Sequence, residues 1–260
     1  MADVTTTDDT QATRGLGLPQ AIALIVGSII GVGIFNLPAS LAKYGPISIW
    51  GMVLTTVGAL ALAFMFAVMS RRLPADGGPY AYARAAFGNA TGFANAWSYW
   101  ITAWAGNAAI VVGWVFYVQY VLAIWFPDGA YNKGIGFLLG VVGLWLPAFI
   151  NLSGVKNMGS VQVWTSIIKF VPLALMSTFG LLAIKSENFT PFNASTDTNS
   201  QAILGARALC LFSYLGVETA AVAAAKVRDP DRNVPKSTIY GTLATAVVYQ
   251  LDGSQPRALL

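Results

Sequence analysis

Apolar positions along this chain neither alternate with a period of two nor recur as a stripe between charges; they run almost unbroken for about 20 residues at a time. Such runs occupy 18–41, 47–70, 93–126, 134–152, 161–184 and 202–225. A hydrocarbon core about 30 Å thick takes about 20 residues of helix, so each run predicts a membrane span. A seventh run starts at Ser237 and continues to Leu251, where Asp252-Gly-Ser-Gln-Pro-Arg257 interrupts it. About fifteen helical residues reach only about 22 Å. The seventh helix is therefore expected to stop partway through the bilayer. The expected organisation is an N-terminal tail over 1–15, a transmembrane domain over 16–251 and a tail of different character over 252–260. No charged leader, short apolar segment and small-residue cleavage site precede the first run, so a removable secretory signal is not expected.

Orientation follows from the Lys and Arg residues of alternating loops. Arg14, Arg71, Arg72, Arg84, Lys156, Lys226, Arg228, Arg232 and Lys236 fall on one side, against Lys43, Lys133, Lys185 and Arg207 on the other. The imbalance predicts an integral protein of the plasma (inner) membrane with its N-terminus in the cytoplasm. The Pro- and Gly-rich segment 71–88 is then a cytoplasmic loop.

Composition agrees and removes several function classes. Hydrophobic residues make up 56% of the 260 and charged residues only 10%, against about 25% charged in a typical soluble domain. The lipid bilayer is thus the expected solvent. A net charge of +4 is too small and too scattered for a nucleic-acid surface. Cys210 is the sole cysteine and histidine is absent. That removes the commonest metal ligand and general base, so no metal, no cofactor and no enzymatic activity are expected. No phosphate-cradling Gly-x-x-x-x-Gly-Lys-Ser/Thr occurs, so any pumping would draw on an ion or exchange gradient.

Chemistry concentrates inside the spans. The first carries Gly27-Ser-Ile-Ile-Gly31-Val-Gly33-Ile-Phe35, three glycines near mid-membrane. Gly27 and Gly31 could form a close-packing face; alternatively the helix unwinds there, which a membrane tolerates only where the backbone lines a cavity. The sixth span carries Phe212-Ser-Tyr-Leu-Gly216-Val-Glu218. Glycine-interrupted spans five apart favour unwinding, because an inverted repeat of five helices puts the substrate site where two breaks face each other. Glu218, an intramembrane carboxylate, is read either as a structural hydrogen-bonding group or as a proton-accepting, gate-coupling group. Lys169 either snorkels to the interface or stays buried as a second proton carrier, helped by the Ile168 carbonyl that Pro172 leaves unpaired. Asn107 in the third span is interhelical glue or a ligand contact.

In order and spacing, Gly27-Ser-Ile-Ile-Gly-Val-Gly-Ile-Phe-Asn-Leu-Pro38, Pro74-Ala-Asp-Gly-Gly-Pro-Tyr-Ala-Tyr82, and Phe212-Ser-Tyr-Leu-Gly-Val-Glu218 with Asp229-Pro-Asp-Arg-Asn-Val-Pro235 resemble the amino acid–polyamine–organocation superfamily. Its basic amino acid/polyamine antiporter branch is the nearest. The resemblance implies an all-α polytopic bundle with a LeuT-like inverted-repeat fold of twelve helices, moving amino acids by alternating access. It implies that amides at Val32 and Gly33 hold the substrate carboxylate, and that carbonyls of Ile29, Phe212 and Leu215 hold its α-amine. Thr102, Ala103 and Asn107 would line the side-chain pocket and Tyr99 would help the gate. Glu218 would sense pH, and Lys169 would occupy the sodium position of proton-coupled members. Phe212 stands where arginine exchangers carry tryptophan. The expected partners are a small amino acid, the bilayer and protons, with exchange or proton symport both open and a homodimer among the possible assemblies. Relative to that family the chain looks truncated in its seventh helix. Competing readings are a channel, a receptor-like protein or a non-functional permease fragment.

Overall fold

A computed structural model describes residues 15–73, 75–127, 129–182 and 189–253. Calls on the tails at 1–14 and 254–260, on Pro74 and on Lys185 lie outside the described residues. Among the described residues the chain is helical with no strand: α1 Leu18–Ile29, α2 Val32–Ala42, α3 Ser48–Arg72, α4 Pro79–Phe87, α5 Asn89–Trp125, α6 Lys133–Leu152, α7 Val155–Leu182, α8 Asn199–Leu211, α9 Thr219–Val222 and α10 Pro230–Gly253. Short 3₁₀ turns occupy Gly45–Ile47, Phe212–Tyr214 and Ala224–Lys226.

Among the described residues five stretches are long and apolar enough to cross a membrane: Gly45–Arg72, Asn89–Trp125, Lys133–Leu152, Met158–Phe179 and Asn199–Val222. Expected spans and observed helices correspond, with three differences, one being that the sixth span is broken between Leu211 and Thr219. The first span is two helices, separated by Ile30 and Gly31 in non-helical backbone. The seventh helix begins at Pro230 rather than Ser237. It has 24 residues, about 36 Å at 1.5 Å per residue, because a proline at a helix start sacrifices no hydrogen bond.

The core lies where α1, α3, α8 and α10 meet. Ile25, Ile29, Met52, Cys210, Tyr214, Val234 and Tyr249 are buried there. Ala59, Ala63 and Ala67 of α3 recur every fourth residue and are buried, a small-residue stripe that lets helices approach closely. Hydroxyls of Thr55, Thr56, Thr238 and Thr245 bond carbonyls of their own helices, which satisfies them without water. By contrast, α5 and α6 leave most apolar side chains exposed, Trp97, Trp125, Phe137 and Trp145 among them. Such faces are stable only against hydrocarbon or further helices.

Segments at one end of the bundle clamp the two broken spans together. Leu16 donates its amide to the Lys226 carbonyl (2.7 Å) and accepts from the Arg228 amide (2.8 Å), and the Gly77 amide donates to the Val222 carbonyl (3.0 Å). The expected loop 71–88 thus contains a helix, α4. Tyr82 is buried on it, and burial pushes its phenol above the ordinary range.

Candidate functional site

The first break follows from what its backbone lacks. Ile30 still donates to the Val26 carbonyl, but the Gly31 amide turns to Ile29 (2.9 Å) and Gly31 is extended at φ −106. Helix α2 restarts at Val32, so Gly33 is its second residue and not part of the unwound stretch. Gly27 is likewise helical, and a β-carbon there would collide with Gln162 and lie 2.6 Å from the Ser166 hydroxyl. Its smallness serves close contact between α1 and α7. Gly31 has no such neighbour: a β-carbon would meet nothing within 4 Å. The two glycines of the small-xxx-small pair therefore do different work.

The second break runs from Leu215 to Glu218. Gly216 adopts φ +110, a region that favours glycine. A β-carbon on it would lie 2.8 Å from the Ser28 carbonyl carbon. The structure thereby packs the second break against the last turn of α1, just before the first break, with Gly216 against the Ser28 backbone. The Gly216 amide donates to the Glu218 carboxylate at 3.2 Å.

Two donors, half-buried Lys169 and buried Tyr249, occupy carbonyls around the first break. Lys169 donates its ammonium to the carbonyls of Gly27 (3.2 Å) and Ile30 (3.3 Å). It therefore reaches across to the first span; neither snorkelling nor the Ile168 carbonyl accounts for its place. The Tyr249 hydroxyl donates to the Ile29 carbonyl at 2.8 Å. Its ring meets Tyr214 edge-on at 5.2 Å between centroids. Tyr214 and Thr56 hydroxyls share a 2.7 Å hydrogen bond, and Gln250 donates to Thr56. Sequence reading missed this cluster. A usable signal was Tyr249 and Gln250 lying together in the interior of an otherwise apolar run.

The expected ligand-lining residues divide between two cavities. One, of about 710 Å³, is lined by Tyr99, Thr102, Leu215 and Glu218 together with Arg207. The side chains of Tyr99 and Glu218 lie close enough to interact. The other, of about 630 Å³, is lined by Gly27, Gly31, Asn107 and Lys169. Ala103 and Asn107 are exposed on α5, and the Thr102 hydroxyl turns back to the Ser98 carbonyl at 2.9 Å. Thr102 and Asn107 thus line different cavities, and Ala103 lines neither of the two. Phe212 is 72% exposed, and its carbonyl accepts from the Leu215 amide at 3.5 Å. Arg207, assigned by charge counting to a loop end, lies within α8 and lines the cavity of Glu218.

Membrane-length helices, two broken spans in contact and an exposed apolar periphery define a polytopic helical membrane protein. The family model for amino acid permeases matches residues 16–251, and the chain belongs to that family. It is similar to the arginine/ornithine antiporter of Pseudomonas aeruginosa, 32% identical over 252 residues that cover 93% of this chain and 51% of that protein. It is also similar to the cadaverine/lysine antiporter of Escherichia coli, 30% identical over 257 residues, 96% of this chain and 56% of the relative. The chain spans about half the length of the curated relatives it matches.

Proposed function

We propose that this chain is the substrate-holding part of a secondary active amino acid carrier, working by alternating access as an antiporter or proton symporter. The observation that carries the reading is the proximity of two helix breaks, at Ile30–Gly31 and Leu215–Glu218, the second packed by Gly216 against Ser28 in the turn that leads into the first. Interrupted backbone inside a membrane is costly unless it is buried or lines a cavity, and paired interruptions are the usual place for a small polar substrate. The amides of Val32 and Gly33 begin α2, so the positive end of that helix suits a substrate carboxylate. Carbonyls of Ile29, Phe212 and Leu215 suit its amine. Of the side-chain contacts on α5, Thr102 serves from the cavity of Glu218 and Asn107 from the cavity of Lys169, with Ala103 between them, and Tyr99 forms part of the gate. Glu218 couples that gate to protonation. The Lys169 ammonium occupies the place a coupling cation would take, on the carbonyls of Gly27 and Ile30. Similarity to antiporters named for arginine, ornithine, cadaverine and lysine favours cationic amino acids or diamines. The Lys and Arg imbalance favours a cytoplasmic N-terminus, and the five-span separation of the breaks favours an inverted-repeat fold.

Exchange in proteoliposomes tests the proposal. Vesicles loaded with labelled arginine should release it when unlabelled arginine, ornithine or lysine is added outside, and not when leucine is added. Release that is the same with and without external basic amino acid would refute the assignment.

A further inference from the structure

A second charged site stands apart from the breaks. Arg71 is the penultimate residue of α3, and Arg232 and Lys236 lie four residues apart near the start of α10, on one face of that helix. With Asp231 and Pro235 they line a cavity of about 450 Å³. Arg71 and Arg232 are exposed, Lys236 is half-buried and Pro235 is buried. Among the described residues no ion pair neutralises any of the three cations. One carboxylate, Asp231, shares the cavity, so an excess of positive charge remains. The N-terminus of α10 adds the positive end of its dipole, since Asp231 is in its first turn.

Depth selects the ligand. The membrane-length stretch Gly45–Arg72 ends at the next residue, so Arg71 sits where the span leaves the hydrocarbon and meets the headgroup layer. Two guanidinium groups and an ammonium converging there match a phosphate, which guanidinium binds in bidentate fashion. A soluble anion would meet the same charges, but a headgroup phosphate is held at that depth by its acyl chains and is presented there at high local concentration. We propose that Arg71, Arg232 and Lys236 form a binding site for the phosphate of an anionic phospholipid headgroup, bridging the end of α3 to the start of α10. The site draws on none of the residues assigned to amino acid binding.

Native mass spectrometry of the 260-residue chain in detergent, titrated with phosphatidylglycerol or phosphatidylcholine of matched acyl chains, tests this. The expected result is tighter retention of phosphatidylglycerol, falling about fivefold for each of Arg71→Gln, Arg232→Gln and Lys236→Gln. Lys133→Gln removes the same charge at the opposite end of the bundle and should leave retention unchanged. Where Lys236→Gln loses monodispersity, Arg232→Gln carries the test, because that side chain is exposed. Equal retention of the two lipids, or phosphatidylglycerol affinity unaltered by the three substitutions, would overturn the proposal. Full displacement of the lipid by millimolar inorganic phosphate would overturn its assignment to a lipid headgroup.

Discussion

Replacing Gly216 with alanine adds one methyl group where the second break meets the last turn of α1, and its cost can be worked from geometry. The new β-carbon would lie 2.8 Å from both the carbonyl carbon and the β-carbon of Ser28 and 2.9 Å from its carbonyl oxygen. Those atoms belong to or adjoin a backbone fixed by α1 and cannot swing aside. Alanine must also accept φ +110, a strain of about 1–3 kcal/mol, and overpacking adds about 1–3 kcal/mol. The sum, about 2–6 kcal/mol, should lower the melting temperature by at least about 4 °C. Gly31 supplies the matched comparison. It has φ −106 and open space around its missing side chain, so Gly31→Ala should be neutral or stabilise by up to about 1 kcal/mol. Melting of the detergent-solubilised protein by tryptophan fluorescence reads both. Equal losses in the two variants, or none in Gly216→Ala, would refute the claim that the second break is held against the backbone just before the first.

The remaining predictions concern the charged groups. Lys169→Ala removes the donor shared by the Gly27 and Ile30 carbonyls; it should lower stability by about 1–3 kcal/mol and abolish gradient-driven accumulation in proteoliposomes. Accumulation at the wild-type level would reduce Lys169 to a structural role. Glu218→Gln keeps shape while removing charge and should flatten the pH dependence of exchange; a wild-type pH profile in the variant would sink the coupling role.

Much of the architecture was legible because hydrocarbon is a crude solvent: it asks for continuous apolar helix, and such helix is visible without knowledge of contacts. The break in the sixth span was legible for the same reason, since Gly216 and Glu218 are both anomalous inside a membrane run. What was not legible depends on partners far along the chain. Gly27 and Gly31 look alike in sequence, yet Gln162 and Ser166 of α7 crowd only Gly27. The sequence offers Lys169 local acceptors next to Pro172, whereas its partners come from α1. Thr102 and Asn107 sit on one helix only five residues apart, but that spacing rotates them toward different cavities. The start of α10 was placed late because charges at 229–236 resemble a loop, although a helix can begin in water with proline first and an acid in its opening turn.

Tyr249 allows the role of the Ile29 carbonyl to be separated from the stability of the fold. That oxygen accepts from the Tyr249 hydroxyl at 2.8 Å and from the Gly31 amide at 2.9 Å, which uses both of its lone pairs. A substrate amine could reach it only by displacing one donor. Tyr249→Phe removes the hydroxyl but keeps the edge-on ring contact with Tyr214, at a cost of about 1–3 kcal/mol for the lost buried hydrogen bond. If the amine meets Ile29, the variant exposes a lone pair that binding would otherwise have to uncover. Melting should then fall while affinity for arginine, measured by calorimetry, holds or rises. If Ile29 is purely structural, affinity should fall together with the melting temperature. Affinity kept or raised against affinity lost separates the two, so one pair of measurements on one variant decides between them.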